Sequence, residues 1–264
     1  MTKKIINDLN IGELKSQYEK GKPFKYVVID NFFKEEVAKE LSNQFPKYDQ
    51  NEIWNIYKNP LENKRTTPDW NLFPSETYRA FTYLNSQEFI KILENIIGID
   101  NIIPDMGLHG GGWHITPSGG KLNVHMDYSI HPKLKLERRA NLIIYLSEDW
   151  KPEYGGQLGL WSHDEETNSP KECVSKIDVK FNRAVIFDTT QNSWHGLPEE
   201  ITSPKGINRK SLAIYYLTEP RIDISSRERA YFAPYKDQAK NPEIMELIKK
   251  RANSQTIGQA YRTE

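Results

Sequence analysis

The chain has 264 residues, which is enough to bury a sizeable core as one large domain or two small ones. Lysine plus arginine equals aspartate plus glutamate, so the charge balance predicts neither a nucleic-acid partner nor a membrane-surface partner. The single cysteine, Cys173, excludes an internal disulfide and a cysteine-based zinc site.

The N-terminal segment MTKKIINDLN lacks the continuous apolar stretch of a signal peptide. No run approaches the roughly 20 apolar residues that a membrane span needs. Together with the low cysteine content, these features predict a cytoplasmic protein without a membrane partner.

The first hundred residues predict a short strand and two helices. KYVVIDNFF (25–33) has the pattern of a strand ending in a turn, and residues 34–45 follow as an amphipathic helix. The polar, proline-punctuated segment 46–75 is predicted to be an ordered loop. SQEFIKILENIIG (86–98) predicts a second helix, capped by its serine and ended by its glycine.

From about residue 105 the pattern changes to short strands separated by turn signals. The predicted strands are GGWHI, KLNVHMDY, ANLIIYLS, GQLGLWS, RAVIFDT and SLAIYYLT. Many short strands without intervening helices favour a sandwich or barrel. We therefore predict a mainly β fold, a double-stranded β-helix (jelly roll) at about 105–220, with helical support at about 24–100 and a polar helical tail at 221–264.

His125 and Asp127 form an H-x-D pair within one predicted strand. Six histidines give roughly 0.3 such pairs by chance, so the pair alone is weak evidence. Residues i and i+2 of a strand point to the same face, however, so one imidazole and one carboxylate can converge on a metal ion.

A third candidate ligand and a candidate carboxylate clamp follow in the sequence. His195 comes directly after the strand RAVIFDT and a polar turn, and two histidines with one carboxylate are the ligand set of non-haem Fe(II) oxygenases. Arg209 and Ser211 are again i and i+2 on a predicted strand, and an arginine beside a hydroxyl is suited to bind a carboxylate.

These motifs resemble the Fe(II)/2-oxoglutarate-dependent dioxygenases, and more closely the prolyl 4-hydroxylase-like branch with its bacterial and phage members. FKYVVIDNFF resembles the usual opening of that branch, and GGWHITPSGGKLNVHMDY, RRANLIIYLSEDW and YGGQLGLW resemble its core strands. The similarity spans roughly residues 24–220 and implies one oxygenase domain over 1–264.

The resemblance implies His125, Asp127 and His195 as iron ligands, with Arg209 and Ser211 on the distal carboxylate of 2-oxoglutarate. Several prolyl hydroxylases use lysine as this anchor. Here Lys210 follows Arg209 and should face the other side of the strand, so the arginine is the predicted anchor. Asp127 also speaks against halogenation, since related halogenases carry a small residue in its place.

The implied reaction is oxidative decarboxylation of 2-oxoglutarate by O₂, which yields succinate and CO₂ and hydroxylates an unactivated C–H bond. The implied cofactors are Fe(II), 2-oxoglutarate and O₂, with ascorbate as a supporting reductant. The substrate is a small molecule or a peptide, for example a prolyl residue or a free amino acid.

Further residues are candidates for the pocket, each with a structural alternative. Asn141 and Tyr145 are candidate contacts of the cosubstrate, although a tyrosine in a β-sandwich is more often a packing residue. Candidate substrate contacts are expected from the loop 46–75, the segment 128–139 and the loop 162–175, all polar. The candidate substrate residues are Tyr128, His131, Arg139 and Trp194.

Two other functions compete with the oxygenase. A cupin-like isomerase or epimerase would use the same barrel, but cupin metal sites usually carry more histidines and a glutamate. A metal-free binding protein would retain the fold and would be favoured by loss of a ligand or of Arg209, yet all of these residues are present.

Overall fold

The computed structural model describes residues 4–190, 192–224 and 227–253. Within these residues, five α-helices precede, flank and follow two antiparallel β-sheets. The helices are α1 (Ile11–Lys20), α2 (Glu35–Asn43), α3 (Ser75–Leu84), α4 (Gln87–Ile97) and α5 (Pro242–Ala252).

The larger sheet contains nine strands of the described chain, and every pairing in it is antiparallel. Its strands are β1 (Tyr26–Ile29), β2 (Asn55–Asn59), β3 (Glu62–Thr67), β4 (Ile103–Pro104), β5 (Gly112–Thr116), β6 (Lys121–Leu122), β8 (Glu137–Tyr145), β11 (Ala184–Asp188) and β13 (Arg209–Thr218). The strand order is β1-β11-β8-β13-β5-β3-β2, with β4 paired to β13 and β6 paired to β3.

The smaller sheet has the order β10-β9-β12-β7-β14 and faces the larger one. Its strands are β7 (His125–Met126), β9 (Leu158–Asp164), β10 (Ser169–Ile177), β12 (Trp194–Gly196) and β14 (Tyr231–Phe232). Leu158 and Leu160 of this sheet pack with Tyr145, Val185 and Phe187 of the larger sheet. The predicted double-stranded β-helix is confirmed.

Alternation along the central strands separates a helix-covered face from a cavity face. Leu212, Ile214 and Tyr216 of β13 join the main apolar core beneath α1 to α4. The alternate residues of the strand point to the other face and line the cavity between the sheets; they are Arg209, Ser211, Ala213 and Tyr215. One strand thus supplies both core packing and candidate site residues.

The predicted helices at 34–45 and 86–98 are confirmed as α2 and α4. The Ser86 side chain accepts a hydrogen bond from the Phe89 amide, and Gly98 ends the helix with φ of 69°, a conformation that glycine adopts without steric cost. Helices α1 and α3 were not predicted. Only Leu14 and Tyr18 of α1 are buried, so its apolar stripe is too short to stand out in the sequence.

Two segments predicted as loops contain strands instead. Residues 46–75 form the hairpin of β2 and β3, followed by a 3₁₀ turn at Trp70–Leu72. The segment 162–175 belongs largely to the hairpin of β9 and β10. Both hairpins are rich in polar and charged residues because much of their length is exposed, and this composition resembles that of a loop.

The predicted strand KLNVHMDY is interrupted. Its first part, β6, pairs with β3 in the larger sheet, and its second part, β7, pairs with β12 and β14 in the smaller one. The chain therefore crosses between the sheets at Asn123 and Val124. This crossing brings the H-x-D pair to the cavity.

The predicted C-terminal tail packs on the core as far as it is described. Strand β14 pairs with β7, and Arg251 of α5 forms a buried ion pair with Glu62 of β3. Residues 254–264 of the predicted tail lie outside the described residues. No helix in the described ranges is long and apolar enough to cross a membrane.

Candidate active site

A cavity of about 270 Å³ lies between the two sheets. Its walls come from β3, β5, β8 and β13 of the larger sheet, from β7, β9, β12 and β14 of the smaller sheet, and from α5. Because the wall combines residues from positions 57 to 251, only the folded chain assembles it.

His125, Asp127 and His195 meet on one wall of this cavity. Their ligand atoms all lie within 4.8 Å of one another, and each residue is buried. The Nε2 atom of His125 lies 3.8 Å from Oδ1 of Asp127, and Nε2 of His195 lies 3.7 Å from Oδ2 of Asp127. Three ligand atoms at this spacing can bind one metal ion.

The backbone orients both imidazoles in the same way. Nδ1 of His125 lies 2.9 Å from the carbonyl oxygen of Asn123, and Nδ1 of His195 lies 2.9 Å from that of Ser193. A carbonyl accepts only, so each Nδ1 carries the proton and each Nε2 is left as a ligand atom.

The charge states of the cluster suit a metal ion as well. Burial lowers the pKa of His125 to about 3, and the neighbouring His195 adds to this shift, so His125 is neutral at pH 7. Burial opposes ionisation of Asp127, yet His195 and Arg138 outweigh burial and hold its pKa below the ordinary value. Oδ2 of Asp127 is buried without a hydrogen-bond partner. A neutral imidazole, a carboxylate and an unpartnered carboxylate oxygen fit a divalent cation.

Arg209 and Ser211 line the same cavity from β13. Nε of Arg209 donates to the Gly156 carbonyl oxygen at 2.9 Å, and Nη2 donates to the Tyr145 hydroxyl at 3.2 Å. Tyr145 is thus placed behind Arg209 and is absent from the cavity wall. These two contacts fix the guanidinium plane while leaving further N–H groups for a ligand.

Lys210 lies on the opposite face of β13, as its position in the strand predicts. Its Nζ is 5.8 Å from the centre of the Phe45 ring. There it lines a separate cavity of about 500 Å³ beside Phe45 and Ile115. That cavity contains no member of the His125, Asp127 and His195 cluster.

Asn141 and Tyr128 line the cavity between the sheets, as proposed from the sequence. Oδ1 of Asn141 is buried and has no hydrogen-bond partner. The Tyr128 hydroxyl donates to the His109 carbonyl oxygen at 3.0 Å. Asn141 therefore has an unused acceptor facing the site, and Tyr128 forms a rigid part of its wall.

His131, Trp194 and Arg139 are placed away from the cavity wall. His131 is buried with Nε2 3.6 Å from Oδ2 of Asp105. Trp194 packs on the far side of the smaller sheet and donates from Nε1 to His163 Nδ1 at 3.0 Å. Nε of Arg139 lies 4.0 Å from Oε1 of Glu137. The pairing of β8 with β13 is irregular at this point, and Arg138 therefore faces the cavity in place of Arg139.

Several wall residues were not predicted from the sequence. They include Glu62, Lys64, Tyr215, Arg229, Phe232 and Arg251. His114 also lines the cavity, and its Nε2 is buried without a hydrogen-bond partner. Phe232 stacks on the His125 ring with centroids 5.0 Å apart. A signal for Tyr215 existed in the i, i+2 spacing from Arg209 and Ser211, which places all three on one face.

Comparison with known proteins addresses the nature of this site. Residues 112–217, which include all three clustered residues and the Arg209–Ser211 pair, match the family model described as the 2OG-Fe(II) oxygenase superfamily. Over these residues, which make up less than half of its length, the chain is similar to the 2OG-Fe(II) oxygenase superfamily. The similarity predicted from the motifs is confirmed. As the name of the superfamily states, its cofactors are Fe(II) and 2-oxoglutarate, and O₂ is the oxidant of an oxygenase.

A curated relative is the prolyl 3-hydroxylase OGFOD1 of Mus musculus, which is 26% identical over 186 residues. The match covers 68% of this chain and 30% of the relative, so the chain spans less than a third of the length of that protein.

Several solved structures share the fold of this chain. A prolyl 4-hydroxylase of Pseudomonas putida superposes with a TM-score of 0.54 at 14% identity, over 78% of this chain and 100% of that chain. A prolyl hydroxylase of Trichoplax adhaerens, bound to a hypoxia inducible factor peptide, has a TM-score of 0.53 at 17% identity, over 78% of this chain and 90% of that chain. HygX of Streptomyces hygroscopicus, with nickel and 2-oxoglutarate bound, has a TM-score of 0.52 at 14% identity, over 78% of this chain and 89% of that chain.

Proposed function

We propose that this protein is an Fe(II)- and 2-oxoglutarate-dependent dioxygenase that hydroxylates an unactivated C–H bond and releases succinate and CO₂. One observation carries the proposal: the His125, Asp127 and His195 cluster and the Arg209 guanidinium line the same cavity. A metal site without an arginine to bind the cosubstrate, or such an arginine without a metal site, would not favour this chemistry over other uses of the fold.

His125, Asp127 and His195 would hold the metal through Nε2, a carboxylate oxygen and Nε2. When bound, Fe(II) would activate O₂, and oxidative decarboxylation of 2-oxoglutarate would supply two of the four electrons that O₂ accepts, the C–H bond supplying the other two. The three residues lie on one wall, so the remaining coordination positions face the cavity. Each Nδ1–H donates to its backbone carbonyl oxygen, and this hydrogen bond keeps both rings in place.

Arg209 would bind the distal carboxylate of 2-oxoglutarate, with the Ser211 hydroxyl donating a further hydrogen bond. Arg209 is buried and already fixed by Gly156 and Tyr145, so little conformational entropy is lost when the carboxylate binds. The Asn141 side chain, whose Oδ1 has no partner, lies on the same wall and would contact the cosubstrate through its amide group.

The cavity shields the reacting groups from bulk water. His125, Asp127, His195 and Arg209 are each less than 8% exposed. In such an environment fixed charges and dipoles act more strongly than in water, which favours binding of a dianionic cosubstrate by one arginine and a metal ion.

The experiment is aerobic incubation of the purified protein with Fe(II) and 2-oxoglutarate, with succinate and O₂ consumption as readouts. We expect slow succinate release by the wild type, its loss in His125→Ala and its retention in His163→Gln. The latter keeps an acceptor for Trp194 and lies outside the cavity. Failure of 2-oxoglutarate to bind the metal-loaded protein, or equal succinate release by His125→Ala, would contradict the proposed function.

A further inference from the structure

The cavity wall carries an excess of positive charge. Among the described residues that line it, the cations are Lys64, Arg138, Arg209, Arg229 and Arg251, and the carboxylates are Glu62 and Asp127. Burial lowers the pKa of His109 to about 4 and that of His114 to about 3, so these two histidines are neutral at pH 7 and leave the balance unchanged. With these seven groups in their ordinary charge states the excess is three positive charges; burial lowers the pKa of Lys64, and a neutral Lys64 would leave an excess of two.

The proposed cofactors do not cancel this excess. Fe(II) brings two positive charges and 2-oxoglutarate brings two negative charges, so the loaded cavity keeps the balance of the empty one. Positive charge held in a low-dielectric cavity is costly unless an anion compensates it. This charge balance rests on the proposed function. The remaining positive charge favours binding of a second anion beside the cosubstrate.

Four of the five cations already have partners. Arg209 donates to Gly156 and Tyr145. Lys64 and Arg251 share the buried carboxylate of Glu62. The Arg138 guanidinium lies between the Tyr128 and Tyr215 rings, 3.3 Å from each centroid, and contacts the His109 carbonyl oxygen.

Arg229 is different, since it has no hydrogen bond or ion pair with any residue in the described ranges. It is partly buried, lines the cavity, and lies close enough to His109 to lower the pKa of that imidazole. Its backbone is held on both sides. The Ser129 amide donates to the Arg227 carbonyl oxygen at 2.8 Å, and Tyr231 pairs with Met126 in the smaller sheet. The guanidinium is therefore held over the cavity on anchored backbone.

The volume of the cavity limits the size of its ligand. Pockets for drug-sized molecules are usually about 300–1,000 Å³. This cavity measures about 270 Å³ and must also hold 2-oxoglutarate. Ala230 and Phe232 of the C-terminal segment and Tyr57 of β2 form part of its wall. The remaining space suits a small molecule better than an extended polypeptide.

We propose that the substrate is a small molecule bearing a carboxylate or phosphate group, and that Arg229 binds that group. A guanidinium offers paired N–H donors that match either anion, and water is partly excluded from this position. Arg229 would thus determine specificity, while the metal and Arg209 bind the cosubstrate.

The test measures binding by calorimetry to full-length protein loaded with Mn(II) and saturating 2-oxoglutarate, so that the cosubstrate site is filled. The probes are two matched pairs: N-acetylproline with N-acetylprolinamide, and glycerol phosphate with glycerol. The variants are Arg229→Gln, Arg229→Lys and the exposed Lys249→Gln, which removes the same charge elsewhere.

We expect at least one anion to bind at least about tenfold more tightly than its neutral counterpart, because charge-assisted hydrogen bonds contribute most of its affinity. This preference should disappear in Arg229→Gln, return in part in Arg229→Lys and persist in Lys249→Gln. The pair that responds identifies the group as carboxylate or phosphate.

Three outcomes overturn the inference while the proposed function stands. Either no anion binds at millimolar concentration although 2-oxoglutarate does, or Arg229→Gln binds the anions as the wild type does, or the neutral N-acetylprolinamide binds more tightly than every anion. Loss of 2-oxoglutarate binding in the wild type would instead contradict the proposed function itself.

Discussion

His125 and His195 occupy directly opposed positions on adjacent antiparallel strands, and their ring centroids lie 4.4 Å apart. Nδ1 of each ring donates to the carbonyl oxygen of the residue two positions earlier in the chain, just before the strand begins. The same local geometry thus acts twice, and it turns both Nε2 atoms toward Asp127. A single strand pairing positions two of the three proposed metal ligands.

Replacing a member of this cluster should abolish metal binding while the fold is kept. We expect His195→Ala and Asp127→Ala to weaken Mn(II) binding by at least about 100-fold, because two ligands cannot replace three. Calorimetry or paramagnetic resonance measures the affinity, and circular dichroism checks the fold. His163→Gln should bind the metal as the wild type does. Unchanged affinity in both cluster variants would show that these residues are not the ligands.

Arg209 and Lys210 offer a matched pair of cations on opposite faces of β13. Arg209→Ala should weaken 2-oxoglutarate binding by about 10- to 100-fold, the usual effect of losing a charge-assisted pair. Metal affinity should stay the same. Lys210→Ala removes an equal charge from the adjacent residue and should leave 2-oxoglutarate affinity within about twofold. A larger loss in Lys210→Ala than in Arg209→Ala would reverse the assignment.

Glu62 joins β3 to the C-terminal helix through its two cationic partners, Lys64 and Arg251. Glu62→Gln leaves Lys64 without its ion-pair partner in a cationic cavity and should lower the free energy of unfolding by about 3 kcal/mol. Arg251→Met leaves the Glu62–Lys64 pair intact and keeps an apolar contact over Phe232. Arg251→Met should therefore lower the free energy of unfolding by at least about 1 kcal/mol less than Glu62→Gln does. Urea denaturation compares the two, and an equal or larger loss in Arg251→Met would contradict this role of Glu62.

Burial of His114 makes stability depend on pH. Burial lowers its pKa from 6.5 to about 3, so the unfolded chain takes up a proton at a higher pH than the folded chain does. The stabilising contribution is therefore complete above pH 6.5 and is lost as the pH falls from 6.5 toward 3. His114→Gln should show a smaller drop in unfolding free energy between neutral and mildly acidic pH. Parallel curves for the two proteins, measured without metal, would disprove this.

Features that depend on neighbouring residues in the chain could be predicted from the sequence. Helix α4 followed from Ser86, Gly98 and the apolar spacing between them, and the separation of Arg209 from Lys210 followed from strand alternation. The fold and the superfamily followed from the order of several motifs along the chain.

Long-range features could not be predicted in the same way. The β2–β3 hairpin has the composition of a polar loop, and only its pairing with β5 shows that Lys64 reaches the cavity. Arg138 replaces Arg139 at the wall because of one irregularity in β8. Arg229 and Phe232 reach the cavity because β14 pairs with β7, about 100 residues earlier in the chain. A periodic pattern in the sequence cannot predict a contact over such a separation.

The most direct test of the proposed function is calorimetric titration of 2-oxoglutarate into the protein with and without Mn(II), using the wild type, Asp127→Ala and Arg209→Ala. If the metal cluster and the arginine form one cosubstrate site, one equivalent binds, metal strengthens the binding, and each variant loses most of the affinity. Binding that is independent of metal, or that both variants retain, would contradict it.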